Sequence, residues 1–263
     1  MKIRKLSSVY FSATYTTRKI VRLIVKELNI SEVKEHDITQ GAPAKDIPVE
    51  PSELLIVGVP VYAGRVPQQA VAALKKFKGD STPAIIVCVY GNRHYDDALI
   101  ELKDILEINK FKIISAGTFI ATHSIFPEVA KNRPDETDHI VIKEFAKKSM
   151  TILDGVEDVA ALPEIKVKGN HPYREAGKVP LHPKGNKKCD ECGTCVRLCP
   201  VQAIEKEDPK KTDGDKCISC ARCIVVCPQH SRHFGKIIHG IASRKFVAAN
   251  SARKEPEVVY IAN

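Results

Sequence analysis

The 263-residue sequence has no apolar run approaching the ~18 residues that cross a bilayer. Its start, Met1-Lys2-Ile3-Arg4-Lys5, leads into a strand-like run rather than the apolar core of a secretory signal, so the expectation is a soluble, cytoplasmic chain. No Gly-x-Gly-x-x-Gly follows the first expected strand, which removes the fingerprint of an adenosine dinucleotide site. The surplus of Lys and Arg comes without a basic helix or an aromatic-interleaved RNA motif, which argues against nucleic acid as the partner.

Cysteine, by contrast, is abundant and ordered. Cys189-x2-Cys192-x2-Cys195-x3-Cys199-Pro200 repeats 28 residues later as Cys217-x2-Cys220-x2-Cys223-x3-Cys227-Pro228. Zinc usually takes its thiolates as two separated pairs and closes at four, a poor match to this triple spacing. Disulfides are disfavoured in a reducing cytosol. A cubane cluster needs four thiolates around a compact core, and three from one tight loop require a distant fourth. The runs resemble the bacterial ferredoxin pattern, in which the fourth Cys of each run serves the other cluster. That resemblance implies two [4Fe-4S] clusters, cluster I on Cys189, Cys192, Cys195 and Cys227, and cluster II on Cys217, Cys220, Cys223 and Cys199. The ninth cysteine, Cys88, lies in the apolar run 84–90 and reads as a buried hydrophobe.

A ferredoxin fills only the last third of the chain, leaving ample length for a second, core-forming unit. The organisation expected is a domain over residues 1–158, a linker at 159–187 rich in Pro, Gly and Lys, a ferredoxin domain at 188–235 and an extension at 236–263. Within the extension, Val258-Val259-Tyr260-Ile261 could add a strand whose place is not set by sequence. Residues 1–160 carry 22 Lys plus Arg against 21 Asp plus Glu, and residues 161–263 carry 19 against 11. Two clusters with their thiolates would bring roughly −4, offsetting about half of that second excess. The remainder favours an acidic redox partner.

In residues 6–155 short apolar runs alternate with helical patterns. Strands are expected near 9–12, 32–38, 54–60, 84–90 and 112–121. Ile20, Leu23, Ile24 and Leu28 recur at helical spacing, as do Ala70, Val71 and Leu74, and Ala98, Leu102, Ile105 and Leu106. Near-continuous apolar strands fit a parallel sheet covered on both faces, whose ligands bind at the strands' carboxyl ends. There the first unit reads Ser12-Ala13-Thr14-Tyr15-Thr16-Thr17, a hydroxyl-rich turn entering a helix and suited to an oxyanion.

This turn is similar to the flavodoxin phosphate loop, Thr/Ser-x-Thr-Gly-x-Thr, with Tyr15 in place of the glycine. Tyr15 must either avoid a positive φ or bear its strain. Pro60-Val61-Tyr62-Ala63-Gly64-Arg65 and Tyr90-Gly91-Asn92-Arg93-His94-Tyr95 match in position the two loops that flank the flavin ring in flavodoxins. The resemblance implies FMN held by Ser12, Thr14, Tyr15, Thr16 and Thr17 at its phosphate, and by Pro60, Val61, Tyr62, Gly64, Arg65, Tyr90, Gly91, Asn92, Arg93 and Tyr95 around its ring. Over residues 1–230 the chain resembles the bacterial and archaeal fusions of a flavodoxin-like domain with a two-cluster ferredoxin, known as EFR-family ferrodoxins. The fold implied is α/β: a doubly wound five-stranded parallel sheet followed by a small α+β ferredoxin domain. The function implied is electron transfer between two [4Fe-4S] clusters and FMN, with no catalytic residue assigned. One alternative is a flavin-dependent reductase of a small acceptor such as a quinone, with His94, Tyr95 and His123 lining its pocket. The other is a ferredoxin carrying a flavin-free docking domain.

Overall fold

The computed structural model describes residues 3–177 and 179–261. Six strands make the main sheet: β1 (Lys5–Tyr10), β2 (Glu32–Asp37), β3 (Glu53–Pro60), β4 (Thr82–Tyr90), β5 (Phe111–Ile120) and β6 (Glu257–Tyr260), in the spatial order β2-β1-β3-β4-β5-β6. The first five are parallel. β6 runs antiparallel to β5, pairing Val259 with Ala116, so the sheet has one more strand than the five expected. β1 lies earlier than the expected 9–12 because Ser7 and Ser8 interrupt the apolar run in sequence yet are buried in the fold. β2 is a charged edge strand, largely exposed, rather than an apolar run.

Helices cover both faces. α1 (Thr16–Leu28) and α4 (Glu136–Thr151) bury Ile20, Ile24, Ile142 and Phe145 against Leu54, Ile56, Ile85 and Val87. On the other face α2 (Gln68–Leu74) and α3 (Ala98–Ile108) bury Leu74, Leu102 and Leu106 against Val57, Val59 and Ile86. α4 had no counterpart in the periodicity. It starts at a capping box, in which Asp135 accepts from the Asp138 amide while the Asp138 carboxylate accepts from the Asp135 amide. The strand order 2-1-3-4-5 is the flavodoxin-like one, with its switch point at the carboxyl ends of β1 and β3.

Beyond α4 the connector lies along α3. Asp97 accepts from the amides of Asn170 (2.9 Å) and Arg174 (2.7 Å), and Asp104 bonds His171 Nε2 (2.7 Å) and the Tyr173 hydroxyl. The cysteine segment carries two one-turn helices, α5 (Thr194–Arg197) and α6 (Arg222–Val225). A two-residue antiparallel ladder joins Lys184–Gly185 to Arg232–His233. α7 (Lys236–Asn250) then leads the chain back to β6.

Close packing of α1 on β3 depends on Gly58, where a Cβ would stand 2.2 Å from Val21 Cγ2 and 3.2 Å from Thr17 Cγ2. Gly58→Ala is expected to cost about 1–3 kcal/mol through overpacking. Thermal unfolding of the cluster-loaded protein should show a lower midpoint; an unchanged midpoint would mean that α1 has slack at this contact.

Candidate functional site

The loop from β1 to α1 is organised by hydrogen bonds that leave its donors free. The Ser12 amide donates to Thr39 Oγ1 (2.8 Å), and Ser12 Oγ accepts from the Arg18 amide (3.0 Å), pulling the loop around the helix start. Tyr15 has φ 66° and ψ −3°, so the positive φ is kept although the residue is not glycine. Its ring is flanked by the guanidinium of Arg18 at 4.5 Å and that of Arg222 at 4.7 Å from the centroid. Among the described residues the amides of residues 13–17 find no partner, and the Thr14 and Thr16 hydroxyls meet only each other at 3.4 Å. A row of unpaired amides at the positive end of a 13-residue helix, with hydroxyls beside it, is the donor set a phosphate needs.

A cavity of about 50 Å³ opens beside this loop, lined among the expected residues by Thr14, Thr16, Thr17, Pro60, Val61, Tyr62, Tyr90 and Gly91. It would admit a phosphate-sized group; the isoalloxazine ring is larger and requires the walls at Tyr62 and His123 to part. The rest of the expected ring-binding set points elsewhere. Arg65 forms a bidentate pair with Glu101 (2.8 Å for both bonds) and donates to the Arg174 carbonyl, and a Cβ at Gly64 would strike Asp96. Asn92 donates to the carbonyls of Asn250 (2.7 Å) and Ala252 (2.8 Å), and Arg93 pairs with Asp96. Tyr95 is only 2% exposed, and its hydroxyl donates to Glu257 (2.9 Å). The connector and the C-terminal segment thus engage the residues that a free loop would have offered.

In their place the loop after β5 contributes Thr122, His123 and Ser124 to the cavity wall. His123 Nδ1 accepts from the amides of Ile125 and Phe126, both at 3.1 Å, which leaves the proton on Nε2. Its ring lies over Gly91, where a Cβ would be 2.4 Å from His123 Cδ2. A glycine at 91 is what lets the ring reach the cavity.

Seven of the eight motif thiols fall into two groups. Cys199, Cys217, Cys220 and Cys223 line one small cavity of about 20 Å³. Burial pushes the Cys220 thiol up to about 12 and the Cys223 thiol up to about 11, and in both the charges of Cys199 and Cys217 add to the rise. Burial also raises Cys195, with Cys189 and Cys227 adding to it. Arg232, 2% exposed, opposes the rise at Cys195, Cys217 and Cys223 and so faces both groups. Among the described residues no three His, Cys, Asp or Glu side chains gather closely enough to hold a single metal ion. Cys88 is fully buried in β4, and burial raises its thiol.

Residues 177–231 match the 4Fe-4S dicluster domain. The chain joins a flavodoxin-like sheet to a 4Fe-4S dicluster domain. Comparison with the curated proteins gave no match. Solved structures similar to it include flavodoxin 1 from Bacillus cereus, 13% identical at TM-score 0.42, covering 56% of this chain and 97% of that one. Fusobacterium nucleatum flavodoxin bound to flavin mononucleotide is 14% identical at TM-score 0.40, covering 58% and 98%. An FMN-dependent NADH-azoreductase from Bacillus anthracis is 8% identical at TM-score 0.38, covering 55% and 98%. The strand order carries the fold without them.

The dicluster domain touches the carboxyl end of the sheet through its second cysteine run. Cys220 belongs to the same apolar cluster as Phe11, Ala13 and Tyr90, with Tyr62 and Ile218 packed against it. Arg222, two residues on, donates from Nη1 to the carbonyls of Ser12 (3.2 Å) and Ala13 (3.1 Å). Gln40 adds a bond to the Leu198 carbonyl (3.0 Å).

Burial, and after it the charge of Arg93, lowers the His123 pKa from 6.5 to about 4. The unfolded chain therefore binds this proton as pH falls through 6.5, while the folded chain does not until about 4. The stability tied to the neutral ring is complete above about pH 6.5 and is lost as pH falls toward 4. The His123 ring resonances should stay untitrated at pH 5.5, and His123→Gln should flatten this part of the stability profile. Titration of the ring near its ordinary value would show that the cavity wall is open to water.

Proposed function

We propose that this protein is an electron-transfer iron-sulfur flavoprotein relaying electrons between two [4Fe-4S] clusters and FMN. The observation that carries the reading is the packing of Cys220 and Arg222, from one cysteine run, against Tyr62 and the loop that leaves its amides free for a phosphate. The grouping of the thiols supports the crossed ligand sets, cluster I on Cys189, Cys192, Cys195 and Cys227 and cluster II on Cys199, Cys217, Cys220 and Cys223. Thr14, Thr16, Thr17 and the amides of residues 13–17 would hold the FMN phosphate, and Tyr62, Gly91 and His123 stand where its ring would enter. FMN, when bound, supplies exchange between two-electron and one-electron chemistry, which a cluster alone does not.

Exposure gives the two ligand sets an order. Each set holds two buried thiols, but Cys192 of the first set is exposed, whereas Cys220 of the second packs in the apolar cluster of the sheet. The first set is therefore the entry from a partner, for which the excess of Lys and Arg after residue 160 favours an acidic protein. The second set faces the flavin cavity. The reductase reading has one supporting residue, His123, since Tyr95 is buried away from the cavity and His94 stacks on it.

Anaerobically prepared protein is expected to hold roughly eight iron, eight labile sulfide and one FMN per chain; stoichiometric zinc without iron, or clusters without flavin, would refute the corresponding half. Cys227→Ala should impair cluster I, and loss confined to cluster II would overturn the crossed sets. In stopped-flow reduction the flavin phase should be independent of protein concentration and the first cluster phase should slow as salt rises. A flavin rate that scales with concentration would mean transfer between molecules.

A further inference from the structure

Arg222 is only 6% exposed, and among the described residues no carboxylate pairs with it. Its Nη1 is fixed by the carbonyls of Ser12 and Ala13, while its Nε is buried without any hydrogen-bond partner. A buried guanidinium N–H that has given up water and gained nothing is costly, so this edge is built to meet an acceptor. The charge lies among flavin-side residues: its guanidinium stands over the Tyr15 ring and acts on the Tyr62 hydroxyl. The carbonyls that hold it belong to the loop whose next amides are also unpaired. Orphan backbone donors on one side and an orphan buried guanidinium edge on the other call for the same ligand, an oxyanion.

We infer that Arg222, from the dicluster domain, completes the phosphate site of the flavodoxin-like domain by donating its free guanidinium edge to the FMN phosphate. This rests on the flavin reading and deepens it. Among the described residues no Lys or Arg lines the cavity beside the loop, and Arg222, which borders the cavity of the second thiol set, meets the loop from the dicluster side at the carbonyls of Ser12 and Ala13. The anchoring carbonyls also fix the direction of the guanidinium before the ligand arrives, so little side-chain entropy remains to be lost on binding. The site is thus shared between the two domains, and the residue that closes it is spaced one position from Cys223.

The test compares FMN with riboflavin, which lacks the phosphate. Affinities of both are measured by flavin fluorescence quenching on cluster-loaded wild type, Arg222→Lys and Arg222→Met, with cluster content checked by absorbance. The ratio of FMN to riboflavin affinity should fall about tenfold or more in Arg222→Met, the scale of a lost charge-assisted bond, while riboflavin affinity stays the same. Arg222→Lys should fall between, and it carries the measurement if the methionine variant loses its clusters. Inorganic phosphate should compete with FMN on the unaltered protein and not with riboflavin. An unchanged ratio in both variants, or an effect confined to the potential of cluster II or to riboflavin binding, would overturn the role of Arg222. Wild type that binds neither flavin would overturn the flavin reading itself, and this inference with it.

Discussion

A guanidinium buried without a carboxylate has to be met by some other negative charge, and two such side chains organise this molecule. Arg222 and Arg232 are 6% and 2% exposed, and among the described residues neither has an acidic partner. Each is held by carbonyl oxygens: Arg222 by Ser12 and Ala13, Arg232 by Pro183 (2.6 Å) and Pro209. Each also keeps an unpaired Nε. Carbonyl dipoles alone leave the net charge uncompensated in a medium of low dielectric. Arg133 shows the contrast, since it is equally buried but paired with Asp138. Arg232 faces both thiol groups, where anionic clusters would supply the balance, so the dicluster segment would depend on its inorganic ligands for charge as well as for shape.

Tyr15 holds a positive φ, a conformation suited to glycine, at the turn into α1. Holding a bulky residue at a positive φ costs of the order of 1–3 kcal/mol. The ring is placed between Arg18 and Arg222, and contacts of that kind return about 0.5–2 kcal/mol each according to exposure. Glycine would keep the loop shape but would leave Arg222 without its aromatic surface. Tyr15 thus links loop geometry to the contact with the dicluster segment.

Features encoded by local spacing were legible in the sequence. The cysteine runs, the five parallel strands and the hydroxyl-rich loop follow from periodicity and from fixed offsets, which do not depend on distant residues. The omissions share a different cause. Nothing near Asn92, Arg93 or Tyr95 announces that the carbonyls of residues 250 and 252, the Lys254 side chain and the Glu257 carboxylate will engage them. α7 was missed because its apolar residues are divided between a packed side at Phe246 and Val247 and exposed Ile237, Ile238 and Ile241, which blurs a single stripe. α4 has a weak apolar period, and its start is marked by Asp135 and Asp138 rather than by hydrophobicity. His123 entered the sequence reading only through the reductase alternative, and its place over Gly91, 32 positions away, is a contact that no local pattern records.

The return of the chain to β5 through β6 changes what kind of attachment the iron-sulfur half has. A module hung on one end of a protein swings about a single pivot, and one peptide cleavage sets it free. Here the cysteine segment leaves from the end of α4 and comes back into the same sheet, so it is a closed loop of chain with both feet in one foundation. Its rotation is confined to the hinge line between those feet, and a nick in the exposed connector would leave the halves joined. Two-point suspension holds the cysteine segment at a nearly constant distance from the sheet without requiring a large interface.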